Sequence, residues 1–333
     1  MHDAPAISPD NKDSSADDFR ALPKVALRAE VSAPSGGDVT QAVRQRAQEL
    51  ARDNVAYAEL HVSPRAFDPA ADIEAVVDAA LAGAREVDGI DARLVLVVAA
   101  EDSAETAADI VHVAIARATA DRREVVGVRV AERDVEGRGC AQVQEAIDKA
   151  RAAFVPVTVD AGRTGSTDSI EAAVCAGADR IGLAENVIDD FTADIDGIQP
   201  GAVSAWVRDR HIPLETAPLT AEGEISDHPL PLLQQLGFTC TVGVGGHGDL
   251  TEVFVALHDA LGYGLEEFFD LTIKAVEHSF HTEPERQHLI ETVILPAYEE
   301  LSDAEFAEDA ELADAEHADA DSADAGSEPD VEA

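Results

Sequence analysis

Opposite charges gather where short β-branched runs of this chain end. The run 24–31 carries Arg28 and Glu30, two residues apart, so both side chains leave one face of an extended strand. The run 154–160 ends in Asp160, and Arg163 follows in the loop. Other run ends supply His61, Leu183 and Glu215, with a glycine-rich loop of Gly243-Val-Gly245-Gly246-His247-Gly248. Paired carboxylates can do acid–base work if one of them keeps a proton. Arginines beside them favour ionisation of both, which removes the donor. The expected arrangement is therefore an ion-pair cluster of Arg28, Glu30, Asp160 and Arg163, two charges of each sign. The glycine-rich loop reads either as a phosphate cradle ahead of the helix that Asp249 opens, or as filled space. His247 and Asp249 make half of a metal site with no third ligand near in sequence, and are expected to be loop polarity. His228, before Pro229, is expected to cap or turn the chain, and His278 and His281 to lie on a helix surface.

The elements that must position these residues alternate along the chain. Candidate strands cover 24–31, 55–62, 93–99, 125–130, 154–160, 179–183, 211–215 and 238–244. Helical patterns lie between them at Thr40–Asp53, Ile73–Ala84, Thr106–Ala118, Cys140–Ala153 and Asp168–Ala176. Eight strand–helix units predict a single (β/α)8 TIM barrel over residues 21–301. An open doubly wound sheet is the weaker alternative, because no G-x-G-x-x-G follows the first strand. In such a barrel the strand ends form the mouth, where function sits.

With 24 basic residues against 67 acidic ones in 333, neither nucleic acid nor an anionic membrane is expected as a partner. The segment 302–333 holds 13 acidic residues and no Lys or Arg, and is expected to be a disordered tail; residues 1–20 are expected to be a second loose end. The chain shows no apolar run of membrane-spanning length and no signal segment. Cys140, Cys175 and Cys240 form no C-x-x-C and read as small buried hydrophobes in a reducing cytoplasm.

Several segments in order resemble the adenosine deaminase family of metal-dependent hydrolases. They are Leu22-Pro-Lys-Val25, Tyr57-Ala-Glu59-Leu60-His-Val-Ser63-Pro64, Val125-Val-Gly-Val128, Asp160 to Ser166, Arg180-Ile-Gly182, Asp227-His-Pro-Leu230 with Thr241-Val242, and Ala275 to Phe280. The resemblance implies a zinc held by an H-x-H on the first strand, a His on the fifth and an Asp after the eighth, with a Glu, a His and a second Asp moving protons. Those metal positions fall here on Arg28, Glu30, Asp160 and Gly245. The proton-transfer positions fall on Arg163, Leu183 and Gly246. Only residues 32–37 separate the first strand from its helix, so the lid that the resemblance implies over a nucleoside is absent.

The sequence alone therefore predicts an adenosine-deaminase-like barrel that has lost its chemistry, a non-catalytic binding or regulatory protein with no metal and no cofactor. Its pocket-lining candidates are Arg28, Glu30, His61, Asp160, Arg163, Leu183, Glu215, Gly245, Gly246 and His247. A purine nucleoside or other small ligand, a partner protein or a second copy are the expected partners. The alternative is an active adenosine or purine-nucleoside aminohydrolase, with zinc, whose centre is relocated or unusual.

Overall fold

Eight short strands, most of them dense in Val, Ala and Leu, lie side by side and parallel. They are β1 (Lys24–Glu30), β2 (Val55–Val62), β3 (Asp91–Val98), β4 (Val125–Val130), β5 (Val157–Asp160), β6 (Arg180–Gly182), β7 (Leu214–Thr216) and β8 (Cys240–Val242). The computed structural model describes residues 16–302 apart from 17, 33–36, 68–69, 71, 121–122, 133–138, 164–166, 196, 221–223 and 245–247. Residues 1–15 and, beyond Ser302, the expected acidic tail lie outside the described residues.

Each strand pairs with the next in chain order. β8 returns beside β1, where a Cβ placed on Gly243 would sit 3.8 Å from Arg28 Cβ. The result is a nearly closed (β/α)8 barrel, as the alternating pattern predicts. Strands covered on both faces are buried along nearly their whole length, as β2 and β4 are, although β2 turns Tyr57, Glu59 and His61 to one face.

The covering helices include α1 (Val39–Arg52), α2 (Ile73–Ala84), α3 (Ala104–Ala118), α4 (Gly139–Ala152), α5 (Asp168–Ala176) and α6 (Ala202–Asp209). They continue with α7 (Leu230–Gln235), α8 (Leu250–Leu261), α9 (Leu265–Glu277) and α10 (Glu283–Leu289). Asp38, Asp72, Ser103 and Asp249 each accept a backbone N–H of the first turn that follows, satisfying donors that helix starts leave open. Asp249 is thus a helix cap, as loop polarity would have it. His228 also turns the chain as expected, its Nδ1 accepting from Leu230 N at 3.2 Å. A small antiparallel hairpin, Phe191–Asp194 with Gly197–Pro200, is an addition that the strand–helix rhythm does not predict. Cys240 is buried as expected, whereas Cys175 is exposed. Among the described residues no helix is long and apolar enough to cross a membrane.

The lower end of the barrel is stoppered by the chain itself. After α9, Phe280 enters between the strand starts, its N–H donating to Glu59 Oε1 at 2.7 Å and its ring lying 4.1 Å from the Arg180 guanidinium. Gly127 makes room for it, since a Cβ there would stand 2.5 Å from the ring. His281, expected on the surface, is instead buried against Tyr57 and bonded through Nε2 to Asp91 at 3.0 Å. His278 is half-buried, and its carbonyl accepts from Arg180 Nη1 at 3.0 Å. Phe280→Ala should therefore cost roughly 3–5 kcal/mol in urea unfolding, the range for an unfilled aromatic cavity. A loss below about 1 kcal/mol would show that the stopper bears no weight.

Candidate functional site

A register shift in β1 between Ala26 and Ala29 sets up the site. At this irregularity the carbonyl of Leu27 accepts from His61 Nε2 at 3.1 Å and from Arg180 Nη2 at 3.4 Å. Bulges of this kind re-aim side chains, and Arg28 follows directly. Its guanidinium meets Asp160 with a fork, Nη1 to Oδ1 at 2.6 Å and Nη2 to Oδ2 at 3.2 Å. Arg28 also lies 3.3 Å from Glu30 and 3.6 Å from Glu215.

From the other side Arg129 on β4 donates Nε and Nη2 to Asp160 Oδ2 at 2.9 and 2.5 Å, and its Nη1 reaches Glu30. Arg180 extends the chain inward, pairing through Nε with Glu215 and through Nη2 with Glu59 at 2.5 Å. Tyr57 Oη donates to Glu59 Oε1 at 3.2 Å. One continuous line of ion pairs thus runs from Glu30 at the mouth to the stopper below.

Most of this line is removed from water. The Arg28, Asp160, Arg180, Glu59 and Glu215 side chains are each at most 5% exposed, whereas Glu30 keeps 29%. Burial opposes ionisation of Asp160, yet Arg28 and Arg129 outweigh it and hold the carboxyl well below the usual aspartate range. Burial pushes Glu215 up, against the attraction of Arg180 and Arg28. The count of charges agrees: Glu30, Glu59, Asp160 and Glu215 face only three guanidiniums, so one carboxylate is in surplus. Glu215 meets its partners only through ion-pair contacts, Oε1 with Arg180 and Oε2 with Arg28 at 3.6 Å. Burial, with Arg129 and Arg28 adding to it, drives the His61 pKa well down. Its neutral ring matches the bonding, Nε2–H to Leu27 O and Nδ1 accepting from Arg129 at 3.3 Å.

The structure joins most of the expected cluster and corrects one member. Arg28, Glu30 and Asp160 meet, and Glu215 and His61 border them. Arg163 does not take part: it is exposed, and its backbone N–H donates to Glu132 Oε2 at 3.2 Å. Arg129 fills the role foreseen for it, because a strand residue points into the barrel while a residue three beyond the strand end turns outward. Leu183 is half-buried at φ +60°, its N–H donating to Glu215 O at 2.9 Å. Gly245, Gly246 and His247 lie outside the described residues. Arg129, Glu59 and Arg180 were not among the expected site residues. The signal for Arg129 was a lone Arg in Val125-Val-Gly-Val-Arg129-Val, sharing parity with the inward Gly127.

These donors do not fit a zinc ion. The first-strand positions hold a guanidinium and a carboxylate already engaged with two guanidiniums, and both oxygens of Asp160 are taken. Imidazole and free carboxylate suit zinc; a fixed positive charge in their place does not. Space is also spent, since a Cβ on Gly182 would fall 2.5 Å from Asp160 Oδ1 and 2.7 Å from Arg28 Nη1.

The two carboxylates should respond to pH with opposite sign. The lowered Asp160 stabilises the fold above the ordinary aspartate pKa of about 3.9 and loses that contribution as pH falls. The raised Glu215 contributes at low pH and loses its contribution as pH rises through its own value. In urea unfolding at pH 5 and pH 8, Asp160→Asn should cost roughly 3–5 kcal/mol at both, while Glu215→Gln gains on wild type as pH rises. Equal losses for both variants at both pH values would contradict this assignment.

Residues 13–296 match the profile of the adenosine deaminase family. An adenosine deaminase of Mycobacterium sp. (strain KMS) is 31% identical over 274 residues, covering 75% of this chain and 73% of its own. Adenosine deaminase 1 of Streptomyces coelicolor is 29% identical over 283 residues, covering 77% and 68%. Among solved structures, a zinc-bound amidohydrolase of Burkholderia ambifaria superposes with a TM-score of 0.74 at 17% identity, over 90% of this chain and 96% of its own. Arabidopsis ADAL in complex with IMP follows at 0.70 and 17%, over 85% and 98%. These relatives overturn the expectation of a non-catalytic binding or regulatory protein, for the curated ones are named for a deaminase activity across three quarters of the chain. The expectation of no cofactor also finds no support in them, one neighbour holding zinc. The chain belongs to the adenosine deaminase family.

Proposed function

We propose that the chain is an aminohydrolase of purine nucleosides or nucleotides, with a centre unlike one built on imidazole-bound zinc. The observation that carries this reading is the 31% identity to a protein named adenosine deaminase over 274 residues. Structural neighbours crystallised with IMP and with GMP support a purine as the ligand class. The ligand would lie over the strand ends, where barrels of this kind place their chemistry.

The reaction exchanges the amino group of the purine ring for the oxygen of water and releases ammonia. It needs a group to take a proton from the attacking water and a group to return one to the ring or the leaving amine. Glu30 suits the first task. It is the most exposed carboxylate of the cluster, oriented by Arg28 and Arg129 at the mouth. Glu215, which burial pushes up against the pull of Arg180 and Arg28, is the candidate for the second task.

Incubating the purified chain with adenosine and with AMP, and following ammonia, tests the reading. Ammonia should appear with at least one substrate, and Glu30→Gln should slow it roughly 100-fold or more, the scale of a lost general base. Absence of ammonia from either substrate at high enzyme concentration would overturn it.

A further inference from the structure

We infer that the guanidinium pair of Arg28 and Arg129 takes the place of the family's dication, so that this barrel mouth is assembled by fixed organic charge. The inference does not rest on the aminohydrolase reading, because metal content and stability decide it.

Position and charge both carry it. Of the four positions that the family resemblance assigns to metal ligands, the three within the described residues are 28, 30 and 160. Arg28 occupies the first. Together with Arg129 it also grips the other two, Glu30 from both sides and Asp160 through four nitrogen–oxygen contacts. The pair brings two unit positive charges, the charge of the dication it replaces, and draws together β1, β4 and β5. Neither arginine can shed its proton, so the charge is as permanent as that of a metal.

The surroundings are fitted to guanidinium and leave little for an ion. Gly182 is close enough that a methyl group would strike both Asp160 and Arg28. The neighbouring imidazole, His61, has both nitrogens in use. Arg28 and Arg129 are 5% and 8% exposed, so their carboxylates compete with little water.

The full chain, purified from cells grown with added zinc, should carry zinc well below one atom per chain by mass spectrometry of the metal. Its Tm should not move with a chelator or with added zinc chloride. Arg129→Met should lower Tm by roughly 10 °C, because it leaves a carboxylate unpaired, while Arg129→Lys, which keeps the charge and loses the fork, should fall between. One zinc per wild-type chain, released by chelator with a fall in Tm, would overturn the inference. So would an Arg129→Met chain as stable as wild type. If Arg129→Met yields no folded protein, zinc content and chelator response of the wild-type chain decide alone.

Discussion

The fork between Arg28 and Asp160 is the contact on which the barrel interior depends. It joins β1 to β5, strands four apart in an eight-strand circuit, and so crosses the barrel from wall to wall. Arg180 and Glu59 make the same crossing between β6 and β2, deeper and fully buried. Glu215 on β7 and Arg129 on β4 tie the two braces together and to the mouth. Barrels of this class ordinarily fill their interior with layers of branched aliphatic side chains. Here charge does part of that work. Burying it is costly unless every member is paired, so the braces stand or fall together.

That constraint shapes the chemistry open to the mouth. Guanidiniums hold position and charge across the whole physiological range, so they orient carboxylates without themselves moving protons. Proton traffic then falls to the acids. Asp160 is pinned in its ionised form, Glu30 meets solvent, and Glu215 sits where burial and the surplus of negative charge favour a bound proton. Two carboxylates in unlike surroundings can divide acid and base roles. On the proposed reading, the reaction would be served by a centre whose charge is covalently built into the chain.

Much of the fold was legible in the sequence because period and spacing report it directly. Val125–Val130 and Val55–Val62 read as strands from short runs set between helical patterns, and Ile73–Ala84 as a helix. The hairpin at 191–200 was not legible, because its residues form no strand–helix unit. The site was read in part. Parity put Arg28 and Glu30 on one face, and the strand end placed Asp160. Arg163 misled because a loop residue's direction follows backbone turns that spacing does not encode. Arg129, Glu59 and Arg180 were overlooked as charges inside strands, where the usual expectation is apolar; their partners lie on strands distant in sequence, and only the closed barrel brings them together.

A double-mutant cycle between Arg28 and Asp160 tests the central claim most directly. Arg28→Met, Asp160→Asn and the double variant would be compared with wild type by urea unfolding at neutral pH. Cross-barrel bracing predicts a coupling energy of roughly 2–3 kcal/mol, with the double variant less damaged than the sum of the single changes. A coupling below about 0.5 kcal/mol, the level of independent sites, would contradict it.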